Sequence, residues 1–205
     1  MKQRELSLSV TPGAWHLFRI RRQDKRFFPL RDKILARDKN TCQFCDFQAT
    51  QHMEIINCDK NYRNNKPSNL LTACPFCAQC FFIDAIGSSD FGGGNIVYLP
   101  ELTQAELNSF CHVLFQAMSN ETDHAKTAQA LYRVYKLRTS VVEEKLGEGS
   151  SNPSALGQLL LELGQDDEKV QKKVLSDLRL LPARSRFESE IREWARTQAN
   201  NPIVE

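Results

Sequence analysis

The sequence predicts an α+β protein in which a central four-cysteine module with short strands is followed by a mainly helical C-terminal region. Three observations carry this. Cys42-Gln43-Phe44-Cys45 and Cys74-Pro75-Phe76-Cys77 form two CxxC pairs with 28 residues between them. Short apolar runs separated by polar loops surround the pairs, as short strands do. From Thr103 onward, apolar residues recur at helical spacing. This divides the chain into residues 1–100, an N-terminal arm plus the cysteine module, and residues 101–205, the helical region.

Taken in order, Leu6-Ser7-Leu8-Ser9-Val10 alternates apolar and polar residues and predicts a short strand, ended by Thr11-Pro12-Gly13. Pro29 to Asp38 predicts a helix, with Pro29 in its first turn and Leu30, Ile34 and Leu35 on one face. It delivers the chain to Cys42. Met53 to Ile56 predicts a strand, 59–68 a polar loop, and Asn69 to Ala73 the approach to the second cysteine pair. A helix is expected from Cys77 to Ile83 or Ile86, stopped at Gly87. Phe91-Gly92-Gly93-Gly94 reads as a turn before a strand at Ile96–Leu99. The glycines are not a phosphate loop, because no Lys-Ser/Thr follows them.

Thr103-Gln104-Ala105-Glu106 is a capping box, and Leu107, Phe110, Leu114 and Met118 share a face of the helix it starts. A second long helix is expected over 122–146, a linker or exposed loop over 147–154, and helices over 155–163 and 166–181. Pro182 separates these from a last helix near 185–198, which contains Trp194.

Composition bounds the function. No run approaches eighteen apolar residues, so no transmembrane helix is expected, and residues 1–10 lack a signal-peptide pattern. The net charge is +2, but residues 1–40 hold eleven Lys/Arg against four Asp/Glu, a surplus of +7 that leaves −5 for the rest. Arg19, Arg21, Arg22, Lys25 and Arg26, followed by Phe27 and Phe28, read either as a solvated face or as a nucleic-acid or acidic-partner patch. The near-neutral total argues against nucleic acid.

Two CxxC pairs can close one tetrahedral all-thiolate site, the geometry of structural Zn²⁺. One structural zinc on Cys42, Cys45, Cys74 and Cys77 is therefore expected, with no coordination position left for water. Cys58, Cys80 and Cys111 are left over. Thiol usage of this kind suits a reducing, cytosolic compartment. Redox catalysis through a CxxC would need a βαβ context, which is not apparent.

Arg37-Asp38-Lys39-Asn40-Thr41-Cys42 and Asn69-Leu70-Leu71-Thr72-Ala73-Cys74 resemble the two halves of an HNH-type zinc module. That resemblance implies a ββα unit pinned by four cysteines, with a separate divalent ion and a His base hydrolysing a phosphodiester. It places the functional positions on Ile56, Asn57, Asn69 and Ala78. Only Asn69 keeps the family's residue type, and His52 stands five residues before Asn57. The resemblance therefore implies a scaffold without catalytic residues, the alternatives being a nucleic-acid-binding zinc protein or a residual HNH nuclease.

Over its whole length the chain further resembles a subunit family of the Dot/Icm type IVB secretion coupling complex. This implies a non-enzymatic adaptor, cytoplasmic and peripheral at the inner membrane. It would bind the C-terminal segment of the coupling ATPase DotL, in the same complex as the IcmS–IcmW adaptors, for effector export. No motif locates the partner-binding residues.

Overall fold

The computed structural model describes residues 4–119, 123–163 and 168–200. Helices dominate, and two separate two-stranded antiparallel sheets accompany them. The first elements are helices α1 (Ala14–Gln23) and α2 (Phe28–Arg37). α1 is absent from the sequence reading. Its buried positions, Ala14, Phe18 and Arg21, fall on one face at i, i+4 and i+7, but the third is an arginine, which disguises the stripe.

Strand β1 (Glu54–Asn57) pairs with β2 (Leu70–Ala73), with Glu54 opposite Ala73 and Asn57 opposite Leu70. β2 runs directly into a one-turn helix, α3 (Pro75–Ala78). The helix expected beyond Cys77 tightens at once into two 3₁₀ turns, Gln79–Phe81 and Ile83–Ala85, before Gly87 (φ +86°). Against these turns lies Leu6–Val10, which is not the predicted strand. Leu6 and Leu8 are buried as alternation requires, but only Ser9 bonds to the turns, donating to the Cys80 carbonyl (2.8 Å) and accepting from the Ile83 amide (3.4 Å). A 3₁₀ turn offers no continuous ladder to a strand.

β3 (Gly94–Tyr98) pairs with a strand formed 80 or more residues later, β4 (Leu178–Pro182), with Gly94 opposite Pro182 and Tyr98 opposite Leu178. The helix expected over 166–181 is thus corrected. Helix α8 (Glu168–Leu175) stops short, and Leu178 to Leu181 gain ladder bonds from β3. Residues 166 and 167 lie outside the described residues. A Cβ at Gly94 would sit 2.3 Å from the Leu181 carbonyl oxygen, so this glycine serves close strand packing.

Between the two strands run α4 (Gln104–Ser119), α5 (Ala125–Leu137), α6 (Thr139–Leu146) and α7 (Pro153–Glu162). α4 starts on the expected capping box: the Thr103 amide donates to Glu106 Oε2 (2.7 Å) and the Glu106 amide to Thr103 Oγ1 (3.2 Å). The single helix expected over 122–146 is two helices broken at Arg138; Thr122 lies outside the described residues. At the break Thr139 and Ser140 hydroxyls donate to the carbonyls of Lys136 and Leu137, and the Arg138 carbonyl accepts from the Tyr98 amide. The loop over 147–154 is bound rather than free: Ser150 is buried, the Ile96 amide donates to the Ser151 carbonyl (2.8 Å), and Asn152 caps α7.

The last helix, α9 (Glu188–Asn200), lies against α4 and presents Ile191 and Trp194 to the interior. One buried apolar cluster runs from Leu6 through the cysteine region to Trp194. A smaller one, Phe27, Ile34, Ile55 and Leu70, fixes α2 on the β1–β2 hairpin.

Candidate metal centre

The first cysteine pair sits on a tight knuckle. α2 ends in two residues with left-handed backbone, Lys39 (φ 54°) and Asn40 (φ 52°), which turn the chain toward Cys42. The Cys42 amide then donates to the Phe47 carbonyl (2.8 Å) and Thr41 bridges Gln48. The second pair brackets the first turn of α3, where the amides of Cys77 and Ala78 both donate to the Cys74 carbonyl (3.0 and 2.8 Å). Arg37 and Asp38 join the halves. Arg37 donates to the carbonyls of Pro67 (2.8 Å) and Leu70 (2.7 Å), and Asp38 accepts from the Thr72 amide (3.0 Å).

This brings the four Sγ atoms within 4.8 Å of one another, all on buried residues. The Cys45 and Cys74 sulfurs are 3.6 Å apart. A disulfide needs about 2.05 Å, whereas thiolates about 2.3 Å from a tetrahedral ion stand about 3.8 Å apart. The set fits an ion at its centre and could hold a metal. Four thiols so close do not titrate alike. Burial, and then hydrogen bonding to Cys42 and the neighbouring thiols, pushes Cys74 and Cys77 well above the ordinary thiol value. Burial also opposes ionisation of Cys42, but hydrogen bonds from Cys45, Cys74 and Cys77 outweigh it and pull Cys42 well below. The site thus favours a thiolate at Cys42 beside thiols at Cys74 and Cys77, whose protons an ion would displace.

Sequence reasoning missed the residues behind these sulfurs. Gln104, Asn108 and His112 stand at i, i+4 and i+8 on the buried face of α4. Gln104 pairs with β4, accepting from the Leu180 amide (2.8 Å) and donating to its carbonyl (2.9 Å). Its Nε2 also donates to Asn108 Oδ1 (2.9 Å), which orients the Asn108 amide so that Nδ2 donates to Cys77 Sγ (3.2 Å). His112 Nε2 lies 3.3 Å from Cys74 Sγ, with its ring stacked between Phe47 (3.6 Å) and Phe76 (4.2 Å). Burial drives its pKa down to about 3, so the ring is neutral and Nε2–H can donate to a thiolate. The signal was present in the sequence as three polar residues spaced by four, which places them on one face of the helix.

The leftover cysteines take other places. Cys80 and Cys111 are fully buried thiols held protonated by burial, and Cys80 donates to the Phe76 carbonyl (3.4 Å). Cys58 is exposed beside Arg4.

The positions that the HNH resemblance marks out are packed or bonded within the fold. Ile56 and Ala78 are fully buried. Asn57, also fully buried, donates to the carbonyls of Asn61 (2.9 Å) and Asn64 (2.8 Å) and accepts from Arg21. Asn69 holds the same loop through Asp59 and the Asn64 carbonyl. His52 reaches Glu193 on α9 (2.5 Å). Arg21 is itself buried, donates to the Ile55 carbonyl (2.6 Å), and lies over the rings of Phe27 (4.6 Å) and Tyr62 (5.0 Å). Desolvation lowers its pKa to about 10, which leaves it charged at neutral pH.

Much of the basic arm is likewise engaged. Arg22 pairs with Glu54 (2.8 Å), Arg26 with Asp24 (3.0 Å) and Arg31 with Asp32 (2.9 Å), while Phe27 is buried.

No protein-family model matches the sequence. The chain is 50% identical over 191 residues to the type 4 apparatus protein DotN of Legionella pneumophila subsp. pneumophila strain Philadelphia 1, an alignment covering 93% of this chain and 89% of that protein. The chain belongs to the DotN family. Among the described residues of this DotN-family chain, no helix is long and apolar enough to cross a membrane.

Proposed function

We propose that this chain is a non-catalytic adaptor subunit of a Dot/Icm type IVB secretion coupling complex. In this reading one structural zinc on Cys42, Cys45, Cys74 and Cys77 pins an HNH-like ββα unit formed by β1, β2 and α3. The complete thiolate set leaves no open position, so the ion contributes folding energy and no reaction. The chain binds the cytosolic C-terminal segment of the coupling ATPase DotL, in one complex with IcmS–IcmW, and so takes part in effector export. It lies at the cytoplasmic face of the inner membrane through that complex.

Membership of the DotN family supports the secretion assignment. The observation that carries the non-catalytic reading is Arg21. Its guanidinium donates to Asn57 Oδ1 and the Ile55 carbonyl, beside the strand on which HNH enzymes mount their base. A buried positive charge there repels a divalent cation, and Ile56 and Asn57 supply neither a metal ligand nor a base. The engaged arginines and buried Phe27 likewise weigh against a nucleic-acid patch on the arm.

The test is calorimetric titration of the zinc-loaded chain with the C-terminal segment of a DotL-type ATPase, at low and high salt. Saturable 1:1 binding that persists at high salt is expected. Absence of binding at both salts removes the adaptor assignment.

A further inference from the structure

Outside the cysteine centre, the feature least explained by the fold itself is the outer face of α5. Ala128 is buried, and Tyr132 and Tyr135 pack on Phe115 and Phe110 of α4. The helix therefore already has a face turned to the core. At 100° per residue, Ala130, Leu131, Val134 and Leu137 fall together on a different side. Exposure there is high, at 40% for Leu131, 54% for Val134 and 72% for Leu137. An apolar stripe of this kind on a protein surface marks an interaction site when it is contiguous.

The charges beside it state what kind of partner fits. Between His124 and Val142 there are four Lys/Arg and no Asp/Glu. Arg138 pairs with Glu101. Lys126, Arg133 and Lys136 project on the flank next to the stripe and make no ion pair among the described residues. The result is an apolar ridge about 10 Å long, bordered on one side by three cations that no described carboxylate pairs. Ala130, Val134 and Leu137 stand at i, i+4 and i+7, the spacing on which a second helix seats its own side chains, with Leu131 beside them. The stripe carries no aromatic residue of the kind that anchors a helix in a bilayer interface.

We infer that the outer face of α5 docks an amphipathic helix of a partner protein, one that sets acidic residues beside an apolar stripe. This rests on the adaptor reading, in which the partner is the C-terminal segment of the coupling ATPase.

The experiment titrates that segment into the full-length, zinc-loaded chain and three variants whose melting curves match the wild type. Leu131→Asp/Val134→Asp breaks the stripe. Lys126→Glu/Arg133→Glu/Lys136→Glu leaves the stripe whole and reverses its border. Leu159→Asp alters an apolar residue of α7 that is 47% exposed and serves as the control. Both α5 variants are expected to weaken binding at least about tenfold, the charge variant with a flatter salt dependence, while the control binds as the wild type does. If both α5 variants bind like the wild type, the docking face is overturned and the adaptor reading stands. If the wild type fails to bind, both fall together. A parallel titration uses phosphatidylserine–phosphatidylcholine vesicles. Vesicle binding lost in the α5 variants, with ATPase-segment binding unchanged, would make this a membrane face and overturn the helix partner.

Discussion

Asn108 offers the sharpest test of how the helical region supports the cysteine centre. Its Nδ2 donates to Cys77 Sγ (3.2 Å), while its Oδ1 accepts from Gln104 (2.9 Å). Replacing Asn108 by Ala removes one N–H···S bond, charge-assisted once the sulfur is a thiolate. Such bonds contribute about 1.5–3 kcal/mol. Gln104 Nε2 keeps the Leu180 carbonyl (2.9 Å) for one of its two hydrogens, while the other loses Asn108 Oδ1 with or without metal, so that second loss lowers stability and leaves metal affinity untouched. About 2 kcal/mol is therefore expected, which corresponds to about 30-fold in metal affinity. That falls within the range of about 10- to 100-fold measured for residues that support metal ligands. In a chain of this size the same loss lowers Tm by about 4–8 °C. Asn108→Asp keeps the shape but faces a carboxylate oxygen toward the sulfur, so it should do more harm than Ala. Competition with a chromogenic zinc chelator and a thermal melt read both quantities. If Asn108→Ala and Asn108→Asp hold zinc and melt as the wild type does, the coupling through α4 is refuted.

Other perturbations follow the same physics. Cys42→Ser or Cys74→Ser should release zinc and unfold at least the region around β1, β2 and α3, seen as lost metal content and lost protection in hydrogen exchange. Unchanged melting with no zinc in wild type or variant contradicts the scaffold. Because Cys74 and Cys77 bind protons well above neutrality in the metal-free fold, zinc must displace at least those two protons. Apparent affinity should then rise by at least about 100-fold per pH unit near pH 7 and fall equally as pH drops; a pH-independent constant counts against the thiol set. Restoring HNH-type residues by Ile56→Asp, Asn57→His and Ala78→His should destabilise the chain, because two fully buried apolar sites become polar and Arg21 loses its Asn57 acceptor. Mn²⁺-dependent nicking of plasmid by the wild type would show instead that its catalytic site is intact. Gly157→Ala should lower Tm, since its Cβ would meet the Asp84 amide nitrogen at 2.4 Å.

What could be read from the sequence divides along physical lines. Local rules were decisive where one short stretch contains the whole interaction. The CxxC spacing brought four sulfurs together, the Thr103–Glu106 box started α4 on schedule, and the β1–β2 hairpin fell within a residue of its expected place. Leu178 to Leu181 failed because an apolar run reads equally as helix or strand, and its partner, β3, is some 80 residues away. Leu6–Val10 kept its alternation in burial but met 3₁₀ turns rather than a strand. α1 was hidden because Arg21 occupies a core-facing position, stabilised by Asn57, the Ile55 carbonyl and two aromatic rings. Gln104, Asn108 and His112 had a visible spacing, but their meaning depends on sulfurs and a strand brought to them only by the tertiary fold.

The most direct measurement of the central account is native mass spectrometry of the full chain mixed with the DotL-type C-terminal segment, because one spectrum reads metal content and partner stoichiometry together. One zinc per chain, retained in a 1:1 complex with the segment, is the expected result. A zinc-free chain that binds the segment equally well would contradict the zinc scaffold, and a zinc-loaded chain that ignores the segment would contradict the adaptor.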